Sequence, residues 1–331
     1  MHAVRLHAFG PAENLVLEEV PDPRPGPGQV RIAVRATGVH LLDTALRAGR
    51  PGPAGVPAEL PTVPGREVAG IVDAVGEGVD AAWLGRDVVA HLGFVPGGYA
   101  ERAVTDVGRL HAVPSRLDPA EAVAMIGTGR TAMGVVQFAE PGPGDVVLVP
   151  AAAGGIGTLL VQYARNAGAT VIGLAGGPAK TARVAANGAD LAVDYTAPDW
   201  AGRLAGHAGR VTVVYDGVGG EVARTAVGLL APDGRHIVFG WSSQGLDSDA
   251  PFLVDGVSVN VLGQEMLRRA GGTDPLRTLE ERALGQAAEG RLVPAVQRFP
   301  LAEAAAAHRA LESRATTGKV VLEPRAHPSP R

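Results

Sequence analysis

Apolar and polar residues alternate along the first third of the chain in short runs. Residues 2–10, 14–20, 29–39, 67–79 and 87–93 each place an apolar side chain at every second position, the spacing of a half-buried strand. A proline-rich turn, residues 21–28, separates the second run from the third. Glycines punctuate the runs, so this part predicts a β-rich, barrel-like domain. Residues 41–49 interrupt it with the pattern of a short helix that Gly49 ends.

The pattern changes near Pro114. Residues 115–140 read as helical, with Ser115 or Asp118 as cap and Pro119 at a first helical position. Residues 146–152 are almost wholly apolar and of strand length, 154–168 are helical, and 170–176 are again an apolar strand. Helix and strand alternate onward through 178–189, 191–195, 211–220, 224–234 and 235–243. Strands apolar on both faces, alternating with helices, predict a parallel sheet covered on both sides. The segment Val257–Leu262 reads as an exposed edge strand, which invites pairing with a second copy and predicts a homodimer. The tail, residues 325–331, is expected to be disordered.

Composition narrows the function. With 331 residues the chain is long enough for two domains, and 46 glycines point to many tight turns. A net charge of −4 without a basic run argues against a nucleic-acid partner. The absence of cysteine excludes disulfides, iron–sulfur clusters and thiolate zinc sites. No signal-peptide pattern and no apolar stretch of membrane-spanning length occurs, so the expected location is the cytoplasm.

The strongest local signal is Pro150-Ala151-Ala152-Ala153-Gly154-Gly155-Ile156-Gly157, between an apolar strand and a helix. Glycines there let backbone approach a pyrophosphate, and the helix start offers free N–H donors; the alternative is a plain tight turn. The next strand ends in Gly173-Leu174-Ala175-Gly176-Gly177, without the acid that holds the ribose hydroxyls of NAD, and Lys180 follows. That combination suits a 2′-phosphate, hence NADPH, although Lys180 read alone is a solvated helix residue.

In these motifs the chain resembles the zinc-independent quinone oxidoreductase (zeta-crystallin-like) branch of the medium-chain dehydrogenases/reductases, over about residues 1–323. The marks are Gly38-Val39 with Asp43 and Arg47, the run from Pro64 to Val79 (PGREVAGIVDAVGEGV), GGYAE, AAAGGIG, VYDGVGG, FGWSSQG and the closing run from Pro300 to Leu322. The resemblance implies a GroES-like β-rich substrate domain, residues 1–124 and 265–331, around a Rossmann NADPH-binding domain, residues 125–264. It implies that Gly154, Gly155, Ile156 and Gly157 bind the pyrophosphate and that Gly177, Lys180 and Tyr195 surround the 2′-phosphate. Thr131 and the loop of Phe239, Gly240 and Ser242 would line the nicotinamide and its ribose, and Lys319 would lie near the cofactor. Each has a plainer alternative: Tyr195 a strand-end aromatic, Thr131 a helix cap, Lys319 a surface charge.

Zinc-using relatives carry Gly-His-Glu where this chain has Gly65-Arg66-Glu67, and no metal set is expected here. Glu67 is expected to be a structural acid bonded to backbone or paired with Arg66, and Asp43 and Arg47 to pair with each other. Where the branch has Asn-Pro after Gly-Val, this chain has His40-Leu41, and its pocket tyrosine is Ala45. His40 is therefore either the donor to a developing oxyanion, with a proton to deliver, or a pocket wall. The expected substrate is a small electrophile, a quinone or an enone. An enoyl-thioester reductase on the same scaffold and an NADPH-binding protein with little turnover stay open beside it.

Overall fold

The computed structural model describes residues 1–51, 55, 57–93, 95–240, 242 and 251–324; the expected disordered tail lies outside them. The chain divides into two compact units, Met1–Gly127 with Ala295–Arg331, and Thr128–Pro294.

The first unit is built on a seven-stranded sheet. Its strands run in the order Val296–Pro300, Lys319–Glu323, Gln29–Val39, Glu67–Val75, Asp87–His91 and Leu110–Ala112, with Arg102–Asp106 paired to Gln29–Val39. A two-stranded hairpin, His2–Leu6 and Leu15–Glu19, completes it. The alternation in Gln29–Val39 is what the sheet uses. Val30, Ile32 and Val34 enter a core with Val68, Val72, Val88 and Leu110, while Arg31 and Arg35 reach outward to Asp73 and Asp87. Burying each such aliphatic side chain contributes about 1.5–3 kcal/mol.

Two strand registers place the chemistry. Val320 lies opposite Val39 and antiparallel to it, so Lys319 comes across from His40. Thr37 lies opposite Val68, which brings Glu67 beside Gly38. The helix Leu41–Arg47 then begins at His40, whose N–H donates to the Asp43 carboxylate at 2.8 Å. It stops before Gly49, whose φ of +86° glycine adopts without penalty.

The helix expected over residues 115–140 starts as its caps predict. The Asp118 carboxylate accepts the Glu121 N–H at 2.9 Å, the Glu121 carboxylate accepts the Asp118 N–H at 3.0 Å, and Pro119 opens the first turn. Its winding changes midway, however. Pro119–Val123 is α-helical, Ala124–Gly129 is a π-helical stretch, and α-helix resumes at Arg130–Val136. The boundary between the units falls within the π-helical stretch.

The second unit is a six-stranded sheet, parallel throughout, in the order Leu191–Asp194, Thr170–Ala175, Val146–Val149, Val211–Asp216, Leu230–Val238, Ser258–Asn260. By position in the chain that is 3-2-1-4-5-6, the order of a Rossmann-type dinucleotide-binding sheet. Leu148, Ile172, Leu174, Val193, Val211 and Val214 form the core beneath one face. The expected return to the first unit at residue 265 is corrected. The helices Gln264–Ala270 and Pro275–Ala288 pack on each other and on Arg130–Val136, Arg130 pairs with Glu280 at 2.9 Å, and the chain returns only at Ala295.

Candidate active site

The residues expected to hold a dinucleotide gather at the carboxyl ends of the parallel strands. Gly154 precedes the twelve-residue helix Gly155–Asn166 and no side chain caps it, so the first-turn N–H groups keep their capacity for an anion. A Cβ on Gly157 would lie 2.3 Å from the Ala151 carbonyl oxygen and 2.8 Å from Ala152 Cα; only glycine lets the helix approach the turn this closely. Ala151 itself has φ of +50°, a left-handed conformation that costs an alanine about 1–2 kcal/mol.

At the end of Thr170–Ala175, Gly177 has φ of +86° and Lys180 follows in the helix Pro178–Ala186. Burial holds the Lys180 ammonium below the usual lysine range. The Tyr195 ring stands beside Gly176. Sequence reasoning missed Asp194. Its carboxylate accepts the Gly177 N–H at 2.8 Å and both donors of Thr196, and the Gly177 bond leads in holding it below the usual carboxylate range. The signal was its place next to Tyr195, one strand over from the position where an acid is sought.

Phe239, Gly240 and Ser242 come together on the loop after Leu230–Val238, against the turn that follows Val211–Asp216. The Phe239 N–H donates to the Asp216 carbonyl at 2.8 Å, the Phe239 ring covers Gly217, and the Ser242 hydroxyl donates to the Gly217 carbonyl at 3.1 Å. Asp216 accepts from the Val218 and Gly219 N–H groups and lies 3.3 Å from Nε2 of the buried His236. Ile156 sits in the first turn after Gly155, and Thr131 in the first turn of Arg130–Val136. These fixed loops fit a dinucleotide: an uncapped helix start, a close glycine approach and a lysine at the far end.

The first unit holds a different cluster. His40 Nε2 lies 2.6 Å from Glu67 Oε1 and 2.8 Å from Lys319 Nζ, and Nζ lies 2.8 Å from Glu67 Oε2. The Lys319 ammonium meets Oε2 as an opposite charge, and the His40 ring meets Oε1 as one only when it is protonated. Glu67 is fully buried and the Lys319 side chain is 4% exposed, whereas that of His40 is 26% exposed. Burial pushes the Glu67 carboxyl up, but His40 and Lys319 overcome it and hold the group well below the usual carboxylate range.

Two expectations are corrected here. Glu67 pairs with His40 and Lys319 and not with Arg66, whose guanidinium lies 3.9 Å from Asp43 instead. Asp43 and Arg47 are not a pair. Arg47 binds Glu312, while Asp43 accepts from the His40 N–H and, at 3.2 Å, from the Tyr99 hydroxyl. Among the described residues, no group of three His, Cys, Asp or Glu side chains is placed to hold a metal ion, and no helix is long and apolar enough to cross a membrane.

Residues 26–115 match the alcohol dehydrogenase GroES-like domain, and residues 187–322 match the zinc-binding dehydrogenase family. The chain is 34% identical to a 2-haloacrylate reductase from a Burkholderia species, over 98% of this chain and 99% of that protein. It is 32% identical to a quinone oxidoreductase of Pseudomonas aeruginosa, over 97% and 99%. Among solved structures, an Escherichia coli quinone oxidoreductase in complex with NADPH superposes with a TM-score of 0.78 at 27% identity, covering 98% of this chain and all of that one.

Proposed function

This chain belongs to the quinone oxidoreductase family of medium-chain dehydrogenases/reductases, and on that footing we propose that it is an NADPH-dependent reductase of quinones or α,β-unsaturated carbonyl compounds that works without a catalytic zinc. The observation that carries the reading is the Lys319 ammonium against both His40 and Glu67. A catalytic zinc needs three protein ligands. Arg66 stands where relatives have a histidine ligand, and a dication brought to His40 and Glu67 would meet a buried cation 2.8 Å away. The same groups suit a metal-free reduction, which needs a donor for negative charge developing on oxygen.

NADPH, when bound, supplies the hydride. Gly154, Gly155, Ile156 and Gly157 would hold its pyrophosphate through backbone N–H groups, and Phe239, Gly240, Ser242 and Thr131 would orient the nicotinamide end. Lys180 and Gly177, with Tyr195 alongside, would receive the 2′-phosphate. The acid-free end of Thr170–Ala175 and the NADPH carried by the Escherichia coli relative support that choice. Asp194 is close to the same place, but one of its oxygens already accepts three local donors. His40, the exposed member of its cluster, would donate to the substrate oxygen and deliver the proton. The similarity to a 2-haloacrylate reductase adds conjugated carboxylates to the acceptor class. The exposed Val259 on the edge strand Ser258–Asn260 supports a homodimer paired along that edge.

The test follows NADPH and NADH oxidation by the purified protein with quinones, enones, 2-haloacrylates, enoyl thioesters and alcohols, with zinc measured by elemental analysis. Turnover of conjugated acceptors with NADPH and without stoichiometric zinc is expected. His40→Ala should lower that turnover by about 10²–10³, the scale of one lost oxyanion donor. Turnover confined to alcohols, or about one zinc per chain, would overturn the proposal.

A further inference from the structure

Glu67 is a buried carboxylate that the fold goes to some length to house. A Cβ on Gly38 would come within 2.2 Å of Glu67 Oε2, and one on Gly127 within 1.4 Å of Oε1. Two glycines, one on Gln29–Val39 and one in the π-helical stretch, thus clear the space the carboxylate fills. Its two oxygens face different cations, Oε1 toward His40 and Oε2 toward Lys319. The resemblance of the sequence associates Lys319 with the cofactor; within its own unit Lys319 instead points at the one exposed proton carrier of the cluster.

We propose that Lys319 and Glu67 are positioning residues that set how readily His40 gives up its proton, Glu67 by fixing the imidazole and Lys319 by opposing a second positive charge beside it. This rests on the reading of His40 as the proton donor. The physical reason is charge arithmetic at close range. One buried carboxylate balances one cation, and the ammonium already supplies it. As found, Nζ donates to His40 Nε2 at 2.8 Å, which favours the imidazole without a proton there; a proton taken up at Nε2 displaces that bond, is opposed by the ammonium and is attracted by Glu67 Oε1 at 2.6 Å, so it is held but not trapped. Among the described residues, the other charged or titratable groups near the cluster include His91, paired opposite Glu67 on Asp87–His91, Asp43 on the helix that His40 begins, Arg66 beside Asp43, and the buried Tyr99, whose hydroxyl donates to Asp43.

The step balances as follows. The nicotinamide, when bound, would supply the hydride with its C–H bonding pair and be left oxidised; as that hydride joins the β-carbon of the acceptor, the carbon–carbon π pair shifts and the carbonyl π pair moves onto oxygen. That oxygen takes the proton from His40 Nε2, and the N–H bonding pair stays on nitrogen. The imidazole, the only member of the cluster with substantial exposure, regains its proton from water after product leaves. Lys319 and Glu67 keep their charges throughout; the ammonium also favours the negative oxygen before the proton moves.

The experiment measures kcat/KM against pH with a turned-over acceptor and, independently of activity, the NMR titration of the His40 imidazole. Both use wild type, Lys319→Met, Lys319→Arg and Glu67→Gln. A donor must be protonated, so activity falls on the alkaline side as His40 loses its proton. Lys319→Met removes the repelling charge and should move that limb and the imidazole titration up by at least about one pH unit; Glu67→Gln should move both down by a similar amount. Lys319→Arg, which keeps the charge, should leave them near the wild-type position. A titration that stays put in both Lys319→Met and Glu67→Gln overturns the inference, even if both lose turnover through misplacement alone. Should Lys319→Met not fold, the downward shift in Glu67→Gln and its absence decide the matter. If wild type turns over no conjugated acceptor, the proposed function fails by itself, and the imidazole titration still decides whether Lys319 and Glu67 govern His40.

Discussion

Buried polar side chains in the first unit are linked in a chain that no local pattern announces. Behind His40, Asp43 accepts from its N–H and from the Tyr99 hydroxyl, and the Tyr99 oxygen lies 3.1 Å from Nε2 of His308. His308 is fully buried and its Nδ1 has no partner. Burial pushes its imidazole down to about 4, from the usual 6.5. In the unfolded chain it binds a proton near pH 6.5, in the folded one only near pH 4, so stability is lost as pH falls through that window. At roughly 1.4 kcal/mol per pKa unit the loss is about 3 kcal/mol. Urea unfolding at pH 7 and pH 4.5 should show His308→Gln losing distinctly less stability than wild type over that interval. Equal losses would mean that His308 is not the responsible group.

At the scale of elements, glycine placement shapes the ends of the parallel strands, where the proposed function would seat the nucleotide. Gly157 is the sharpest case because what a side chain would meet is backbone: the Ala151 carbonyl and Ala152 Cα. Gly157→Ala must lift the start of Gly155–Asn166 off the turn. Overpacking of that kind costs about 1–3 kcal/mol. It also shifts the N–H groups that would receive the pyrophosphate, so the variant should melt several degrees lower and bind NADPH at least about tenfold more weakly. Thermal melting and fluorescence titration read the two effects separately. Unchanged affinity despite a lowered melting point would show that the turn is structural only. The π-helical stretch Ala124–Gly129 is the counterpart in the first unit. It widens an otherwise regular helix, and Gly127 within it clears the space for Glu67.

On the scale of the whole molecule, the two units bury separate cores; the glycine-rich turns after the parallel strands lie in one and the titratable cluster in the other. The six-stranded sheet ends at Ser258–Asn260, which pairs with Leu230–Val238 on one side, and it presents Val259 at 42% and Leu262 at 45% exposure. Pairing of two such edges in a homodimer would cover those side chains and satisfy the open backbone groups. Val259→Lys should then give a monomer by light scattering at micromolar concentration with the fold retained by circular dichroism. A wild-type protein that is already monomeric there, or a variant that still dimerises, would remove this edge as the interface.

Period-two alternation laid out Gln29–Val39, and apolar runs between helices laid out the parallel strands, because burial on one face or two leaves a local imprint. The turn at Gly154–Gly157, the cap at Asp118 and the loss of thiolate zinc ligands were legible for the same reason: each is a property of adjacent residues or of composition. Partners remote in the chain were not. Lys319 and His40 are 279 positions apart, and only the register of Lys319–Glu323 against Gln29–Val39 brings them to 2.8 Å. That contact, in turn, decided that Glu67 serves His40 and Lys319 and not its neighbour Arg66. The helices Gln264–Ala270 and Pro275–Ala288 show the same limit: their periodicity marks which face is buried, but not which unit buries it, and packing on Arg130–Val136 settled that. A sequence carries the hydrophobic pattern of each element within itself, whereas the pairing of charges and the choice of packing partner depend on distances that exist only once the chain has folded.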